Sequence, residues 1–367
     1  MMFNNVYCGK KVLITGNTGF KGSWLTEWLL RLGATVVGYS IDIPTTPSMF
    51  EDSSLESRIK HYFGDVRDYP LLKGIIDLEK PDFIFHLAAQ AIVSVSYDEP
   101  VETISTNAIG SINVLEAVRR IDWPCIVIMI TSDKAYDNVE WVWGYRETDA
   151  VGGNDIYSGS KGAAEVLINC YLKSFFLKQD LVRVGIGRAG NVIGGGDWAK
   201  DRIVVDIMRS WSKGVPVKIR SPQATRPWQH VLEPLSGYLN LGMKLYESNS
   251  LNGEAFNFGP RTEQNRTVVE LLQDLAKQWG FDDMGNAYQV VDSIPFHEAG
   301  LLKLNCDKAM FYMKWEANLS YAETVEFISN WYKVYFDGAK DLSLVTLDQL
   351  GKYEALAKNR GRSWALN

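Results

Sequence analysis

Cysteine is scarce in this sequence, and the little there is cannot organise a fold. Cys8, Cys125, Cys170 and Cys306 stand far apart with no CxxC or CxH spacing. Neither a zinc site nor a disulfide framework can be read from them, so no metal is expected, and free thiols in a reducing compartment are. Basic residues are not in excess: 38 Lys and Arg face 44 Asp and Glu, a formal charge of −6. That balance argues against nucleic acid as a partner but leaves room for a local basic pocket around a phosphorylated ligand. Long apolar runs are missing too. None approaches the roughly 18 residues of a membrane span, and the opening MMFNNVYCGKK has no apolar signal core. A cytoplasmic protein without a membrane partner is expected. Repeats, low-complexity segments and flexible linkers are also lacking, so the 367 residues should form one large domain or two closely connected ones.

What is present alternates. Lys11–Thr15, Thr35–Ser40, a short stretch to Tyr62–Phe63, Phe83–Ala89, Cys125–Ser132 and Leu181–Gly190 read as buried strands. Helical patterns separate them, notably GSWLTEWLLRLG, about Val101–Arg120 and Tyr157–Phe176. Near-continuous apolar strands with helices between them indicate a parallel sheet covered on both faces, and right-handed crossovers make it a doubly wound α/β (Rossmann) domain. After Gly190 the rhythm breaks into Gly-, Trp- and Arg-rich sequence. Residues 1–190 are therefore read as a dinucleotide-binding domain. Residues 191–367 form a smaller, mainly C-terminal substrate-binding region, with segments about 225–260 returning to the first. The polar tail beyond Asp337 is expected to make a peripheral helix.

Directly after the first strand comes TGNTGFKGSW, with Gly16, Gly19 and Gly22 in a GxxGxxG pattern. Glycines there let the chain turn sharply and bring the backbone around Phe20 and Lys21, at the start of a helix, against a pyrophosphate. An acidic residue at the end of the second strand would take the adenosine ribose. Here the strand ends at Ser40 and the nearest acid is Asp42, so Ser40 becomes the ribose candidate. No arginine follows to hold a 2′-phosphate, which favours NAD over NADP. Asp65 and Val66, in GDVRD, are placed beside the adenine. His86 precedes Leu87, Ala88 and Ala89, small or apolar residues that let a cofactor approach the backbone. His86 itself is read as a packed strand residue, and Gln90 as a residue on the substrate side.

Tyr157 and Lys161 form a YxxxK pair at a helix start, and positions four apart share a helical face. An ammonium near the phenol lowers its pKa and makes it a usable base. Thr131-Ser132-Asp133-Lys134 closes the fifth strand nearby. With the glycine-rich turn, these residues resemble the extended short-chain dehydrogenase/reductase superfamily over nearly the whole chain. Three longer strings, Thr131–Glu147, Arg188–Val204 and Ala224–Leu239, are similar to the signatures of CDP-glucose 4,6-dehydratases. The resemblance implies NAD as cofactor, CDP-glucose as substrate and a 4-keto-6-deoxy product destined for deoxysugar and surface-polysaccharide synthesis. It makes Tyr157 the base for the 4-hydroxyl, Ser132 a hydrogen-bond partner of the 4-oxygen and Asp133 the acid for the departing 6-hydroxyl. Lys134 stands where related dTDP-glucose enzymes carry glutamate. A direct role in C5 proton transfer is favoured for it over orienting water or stabilising an enolate. Asn191 is implied at the nucleotide diphosphate. Arg226 is read as a phosphate clamp, and Arg202, His297 and Glu298 as contacts to sugar or nucleotide.

Two other readings compete. A 4-epimerase would share Tyr157, Lys161 and cofactor but would not need Asp133 and Lys134. A non-catalytic dinucleotide sensor would be expected to lack the Tyr–Lys pair. A homodimer through the helices near Val101–Arg120 and Tyr157–Phe176 is expected by analogy, with Ile112, Leu115, Val166 and Leu167 compatible with it or with packing on the sheet. Trp141, Trp143 and Trp228 are left out of the site, since buried tryptophans belong more often to a core.

Overall fold

Alternate side chains of the first strand go to opposite faces of one sheet. In the computed structural model, which describes residues 1–261, 264–291, 301–339 and 341–366, β1 (Lys11–Thr15) sends Val12 and Ile14 into one hydrophobic core and Leu13 into a second. The same period of two recurs along the sheet. From β4 (Phe83–His86), Phe83 and Phe85 enter the first core and Ile84 the second. From β5 (Cys125–Ile130), Ile126 and Ile128 oppose Val127 and Met129. Both faces being buried explains why these strands carry no polar alternation.

With β2 (Thr35–Ser40), β3 (Lys60–Phe63), β6 (Val182–Arg188) and β7 (Ala255–Asn257), they form a seven-stranded sheet in the order β7-β6-β5-β4-β1-β2-β3. Every pairing in it is parallel. The winding reverses between β1 and β4, which is where a doubly wound sheet opens a crevice at the carboxyl ends of its strands.

The helices that matter to that crevice are α1 (Phe20–Arg31), α2 (Tyr69–Glu79), α3 (Gly110–Val118) and α4 (Ile156–Ser174). The helix expected near Val101–Arg120 forms in pieces: Pro100–Ile104, a π-helical turn at Ser105–Ile109, then α3. Such π turns concentrate at functional sites. Beyond β6, α5 (Ile203–Trp211) and α6 (Leu232–Glu247) precede β7, and the tail supplies α7 (Val268–Trp279), α8 (Tyr321–Phe336) and α9 (Ser343–Asn359). Short strand pairs, Val192–Ile193 with Gln229–His230 and Thr225–Pro227 with Asn265–Thr267, knit the region after β6 together.

The tail differs from the polar, peripheral helix expected of it. Tyr353 and Trp364 are fully buried. Trp364 stacks on Phe3 with ring centroids 4.9 Å apart, Tyr353 meets Trp28 edge-on, and Trp28 Nε1 donates to Glu354 at 2.9 Å. A few aromatic anchors bury enough area to dock an otherwise polar helix. Trp228 lies in the core as tryptophans usually do, whereas Trp141 and Trp143 are exposed.

Candidate active site

Backbone crowding dictates the turn after β1. Gly16 has φ +76°, and a Cβ on it would lie 2.7 Å from the Ala88 nitrogen. A Cβ on Gly22 would lie 2.1 Å from the Gly16 carbonyl oxygen. Only glycine lets β1, the start of α1 and the Leu87–Ala89 segment meet so closely. Gly19 caps α1 without any side-chain hydrogen bond, and the first turn holds no acid. The amides around Phe20 and Lys21 are thus left for an anion, and the helix dipole favours one. A pyrophosphate fits this cradle.

Ser40, the ribose candidate, is tied to the glycine-rich turn. It is buried, its hydroxyl donates to Asn17 Oδ1 at 2.8 Å, and it accepts from the Thr18 amide at 3.3 Å. It therefore braces the glycine-rich turn from beneath. After β3, Tyr39 OH donates to the Asp65 carbonyl at 2.7 Å, while the Arg67 guanidinium holds the Asp65 carboxylate in an ion pair and keeps its pKa below the ordinary value. Val66 is buried beside it. His86 behaves as a packed strand residue, between Thr15 Oγ1 at 2.7 Å and Ser111 Oγ at 3.0 Å, with burial pushing its pKa down to about 3. Gln90 is likewise engaged by the protein: its amide nitrogen donates to Thr103 Oγ1 at 2.8 Å and its Oε1 accepts from the Ile92 amide at 2.6 Å. Those bonds fix the loop that carries it.

The chemical residues converge from two elements. Asp155 caps α4, accepting from the Ser158 amide at 2.9 Å, and so sets Tyr157 and Lys161 in the first turns of the helix. At the end of β5, Ser132 caps a single turn over Asp133–Ala135 and accepts from the Lys134 amide at 3.2 Å. Its hydroxyl donates to Asp133 Oδ1 at 3.0 Å and also bears on the Tyr157 phenol, favouring its ionised form. A hydroxyl has one proton to donate, so Ser132 can serve the carboxylate or the phenolate, and it links the two. Asp133 is buried, and its carboxylate lies directly against Gly190, where a Cβ would come within 1.7 Å of Oδ2. Lys134 is half-buried beside it.

Burial raises the Tyr157 phenol above its ordinary pKa, opposed by the Arg202 guanidinium and by Ser132. Desolvation outweighs both of these. Lys161 is pushed down to about 8, by burial first and then by the neighbouring Lys21 ammonium. Lys21 is pushed down to about 8 as well, by burial partly offset by Asp133 and Asp197. Two depressed lysines and Arg202 around one cleft suit a ligand bearing negative charge.

Among the remaining candidates, Arg202 is exposed and donates to the Ala91 carbonyl at 3.3 Å across the cleft mouth. Asn191 follows β6 in the left-handed region, φ +41°. Arg226 sits on the Thr225–Pro227 strand with Nη1 donating to the Thr225 carbonyl at 2.9 Å, and the contacts that define the Tyr157 centre do not include it. His297 and Glu298 lie outside the described residues. Among the described residues no cluster of His, Cys, Asp or Glu could hold a metal, and no helix is long and apolar enough to cross a membrane.

Sequence reasoning missed four residues here. Asn107, in the π turn, is buried and holds both Gln90 backbone groups and Ser160 Oγ. Asp197, buried, acts electrostatically on Lys21 and Arg202. Glu165 and Arg188 form a buried pair behind the catalytic turn. For Glu165 and Arg188 a charged residue inside an apolar run was the available signal; Asn107 and Asp197 carried none.

The chain is similar to known proteins over most of its length. A family described as GDP-mannose 4,6 dehydratase matches residues 13–327. Over 358 residues the chain is 44% identical to the CDP-glucose 4,6-dehydratase of Salmonella typhimurium, covering 96% of this chain and 98% of that one. Among solved structures, the epimerase Mth375 of Methanothermobacter thermautotrophicus superposes with a TM-score of 0.77 at 22% identity, covering 91% and 95% of the two chains. The dTDP-glucose 4,6-dehydratase of Streptomyces venezuelae does so with 0.75 at 20%, covering 88% and 97%.

Proposed function

The chain belongs to the GDP-mannose 4,6-dehydratase family, and from that premise we propose that it dehydrates CDP-glucose to CDP-4-dehydro-6-deoxyglucose with NAD as a recycled cofactor. The observation that carries the reading is the union of two sets of groups through Ser132. Tyr157 and Lys161 suit oxidation at C4, and Asp133 and Lys134 suit loss of water across C5–C6. The near-full-length identity to a CDP-glucose enzyme supports the choice of nucleotide.

NAD, when bound, would supply the hydride acceptor and donor of the cycle. The backbone of Gly16, Gly19, Phe20, Lys21 and Gly22 would hold its pyrophosphate, with Asp65 and Val66 on the adenine side and Leu87–Ala89 leaving it room beside the backbone. Tyr157 removes the proton of the 4-hydroxyl while Ser132 turns its hydrogen to the 4-oxygen. Lys161 and Arg202, as cations, favour the phenolate that accepts this proton. With a ketone at C4 the C5 proton is acidified, and Lys134 removes it as Asp133 protonates the departing 6-hydroxyl. A proton is then restored at C5. Asn191 and Arg226 hold the nucleotide diphosphate, with His297 and Glu298 completing the sugar side. Residues 1–190 serve the cofactor and 191–367 mainly the substrate, with about 225–260 returning to the sheet. The protein works in the cytoplasm as a homodimer, and the exposed Val101, Ile109 and Val166 support a dimer through the Pro100–Val118 segment and α4. The product feeds deoxysugar synthesis for surface polysaccharide.

The test is turnover of CDP-, dTDP-, UDP- and GDP-glucose with NAD, read by mass. Loss of one water from CDP-glucose alone is expected. Loss from a different nucleotide sugar overturns the base assignment, and galactose-type products without water loss overturn dehydration. Asp133→Asn with Lys134→Ala should keep C4 oxidation and stop elimination.

A further inference from the structure

Thr131 and Tyr136 bracket the Ser132–Asp133–Lys134 turn, and one buried ion pair holds both. Arg188 grips Glu165 through two parallel bonds, Nε to Oε1 at 2.9 Å and Nη2 to Oε2 at 3.0 Å. Glu165 Oε1 also accepts from Thr131 Oγ1 at 2.5 Å. On the other side Arg188 Nη1 donates to Tyr136 OH at 2.7 Å, with the guanidinium over that ring at 4.9 Å. Tyr136 OH passes its own hydrogen to Asn257 Oδ1 on β7 at 2.8 Å. Glu165, Arg188, Thr131, Tyr136 and Asn257 are all buried.

Burying a charge pair costs desolvation, and well-packed apolar residues often stabilise as much. Stability is therefore a poor reason for this one. Its position supplies a better reason. Glu165 lies on α4 one turn beyond Lys161 and two beyond Tyr157. Arg188 ends β6, two residues before the Gly190 against which Asp133 rests. The pair thus touches each of the three elements whose mutual placement sets the Tyr157–Ser132–Asp133 geometry.

We propose that Glu165 and Arg188 are positioning residues, a clamp that fixes both ends of the 132–134 turn against the Tyr157–Lys161 helix. The inference rests on the proposed dehydration. Neither side chain reaches the reacting atoms, so both act through the turn.

Thr131→Val and Tyr136→Phe each remove one tie while keeping the ion pair and nearly the same volume. Each should lower kcat on CDP-glucose by about tenfold, since displacement of reacting groups by a fraction of an ångström is enough for that. KM, bound NAD and melting temperature should stay close to those of the unaltered protein. The double variant should lose little more than the worse single, because releasing either end frees the turn; independent effects would instead multiply. Quenching with borodeuteride during turnover adds a readout that mere loss of folded protein cannot move. It labels C4 of every ketosugar, and the share still carrying the 6-hydroxyl should rise in both variants. Unchanged kcat in both, multiplicative losses, or an unchanged trapped share overturns the clamp while the unaltered protein still dehydrates CDP-glucose. An unaltered protein that dehydrates no nucleotide sugar overturns the proposed function, and the clamp with it.

Discussion

A single methyl group added at Gly190 collides with the group proposed to protonate the leaving hydroxyl. The Cβ of an alanine there would lie 1.7 Å from Asp133 Oδ2, 2.1 Å from Cγ and 2.6 Å from Oδ1. Packed heavy atoms sit about 3.5 Å apart. Gly190 does not occupy the left-handed region, so the alanine backbone is at ease and the strain falls on the carboxylate. Overpacking of this kind costs about 1–3 kcal/mol of stability, which a domain of this size can absorb. The carboxylate must retreat by about 1 Å or more, and a misplacement of about 1 Å costs on the order of 100-fold in rate. At about 1.36 kcal/mol per tenfold, that is a barrier higher by ~2.7 kcal/mol. Gly190→Ala is therefore expected to lower kcat on CDP-glucose about 100-fold with KM little changed, while borodeuteride-trapped sugar retaining the 6-hydroxyl accumulates. Gly74→Ala is the control: nothing lies within 4 Å of its Cβ, and in α2 it should stabilise by about 0.5–1 kcal/mol with no effect on rate. A Gly190→Ala protein that turns over like the original refutes the reasoning. So does a loss of rate that only tracks loss of folded protein.

Other outcomes follow from the same geometry. Tyr157→Phe removes the proposed base without changing ring volume, and kcat should fall on the order of 10²–10⁴-fold while bound NAD, measured by absorbance after denaturation, is retained. Lys161 and Lys21, at about 8 in the folded protein, return to about 10.4 on unfolding. Between those values the unfolded chain binds more protons, so their contribution to stability rises with pH across that window. Melting temperature against pH from 8 to 10 should accordingly rise less steeply in Lys161→Met. Ile109, half exposed on the π turn, faces the proposed partner surface. Ile109→Asp should shift a dimer to monomer in sedimentation, and an unchanged sedimentation profile counts against that surface.

Much of the fold was legible because buried parallel strands have few ways to be written. Lys11–Thr15 and Thr35–Ser40 form as strands over the residues expected, since apolar β-branched runs ended by turn residues leave little ambiguity. The glycine-rich turn, the YxxxK pair and the Ser132–Lys134 segment were legible for a different reason: each is a local pattern. The return of segments about 225–260 to the sheet was expected, but which residues would pair there was not, because that is non-local. β7, only three residues long, takes its identity from pairing with β6. The protein partners of Ser40 and Gln90, Asn17 and Thr103, could not be read because they lie 23 and 13 positions away. The tail looked peripheral because its buried anchors are few. The strongest influence on the Tyr157 phenol, desolvation by the whole fold, is non-local as well.

The aromatic knot of Phe3, Trp28, Tyr353 and Trp364 also bears on how the protein is made. Trp28 and its partner Glu354 are separated by 326 positions, which at ~5–20 residues per second of synthesis is some tens of seconds. Throughout that interval the Trp28 face of α1 lacks Tyr353, Glu354 and Trp364 to cover it, and for most of it the sheet still lacks β7. The nascent chain must therefore carry exposed tryptophan while most of the Rossmann sheet is already complete. Holding chaperones have that interval in which to act, and refolding from denaturant should lose yield steeply as protein concentration rises.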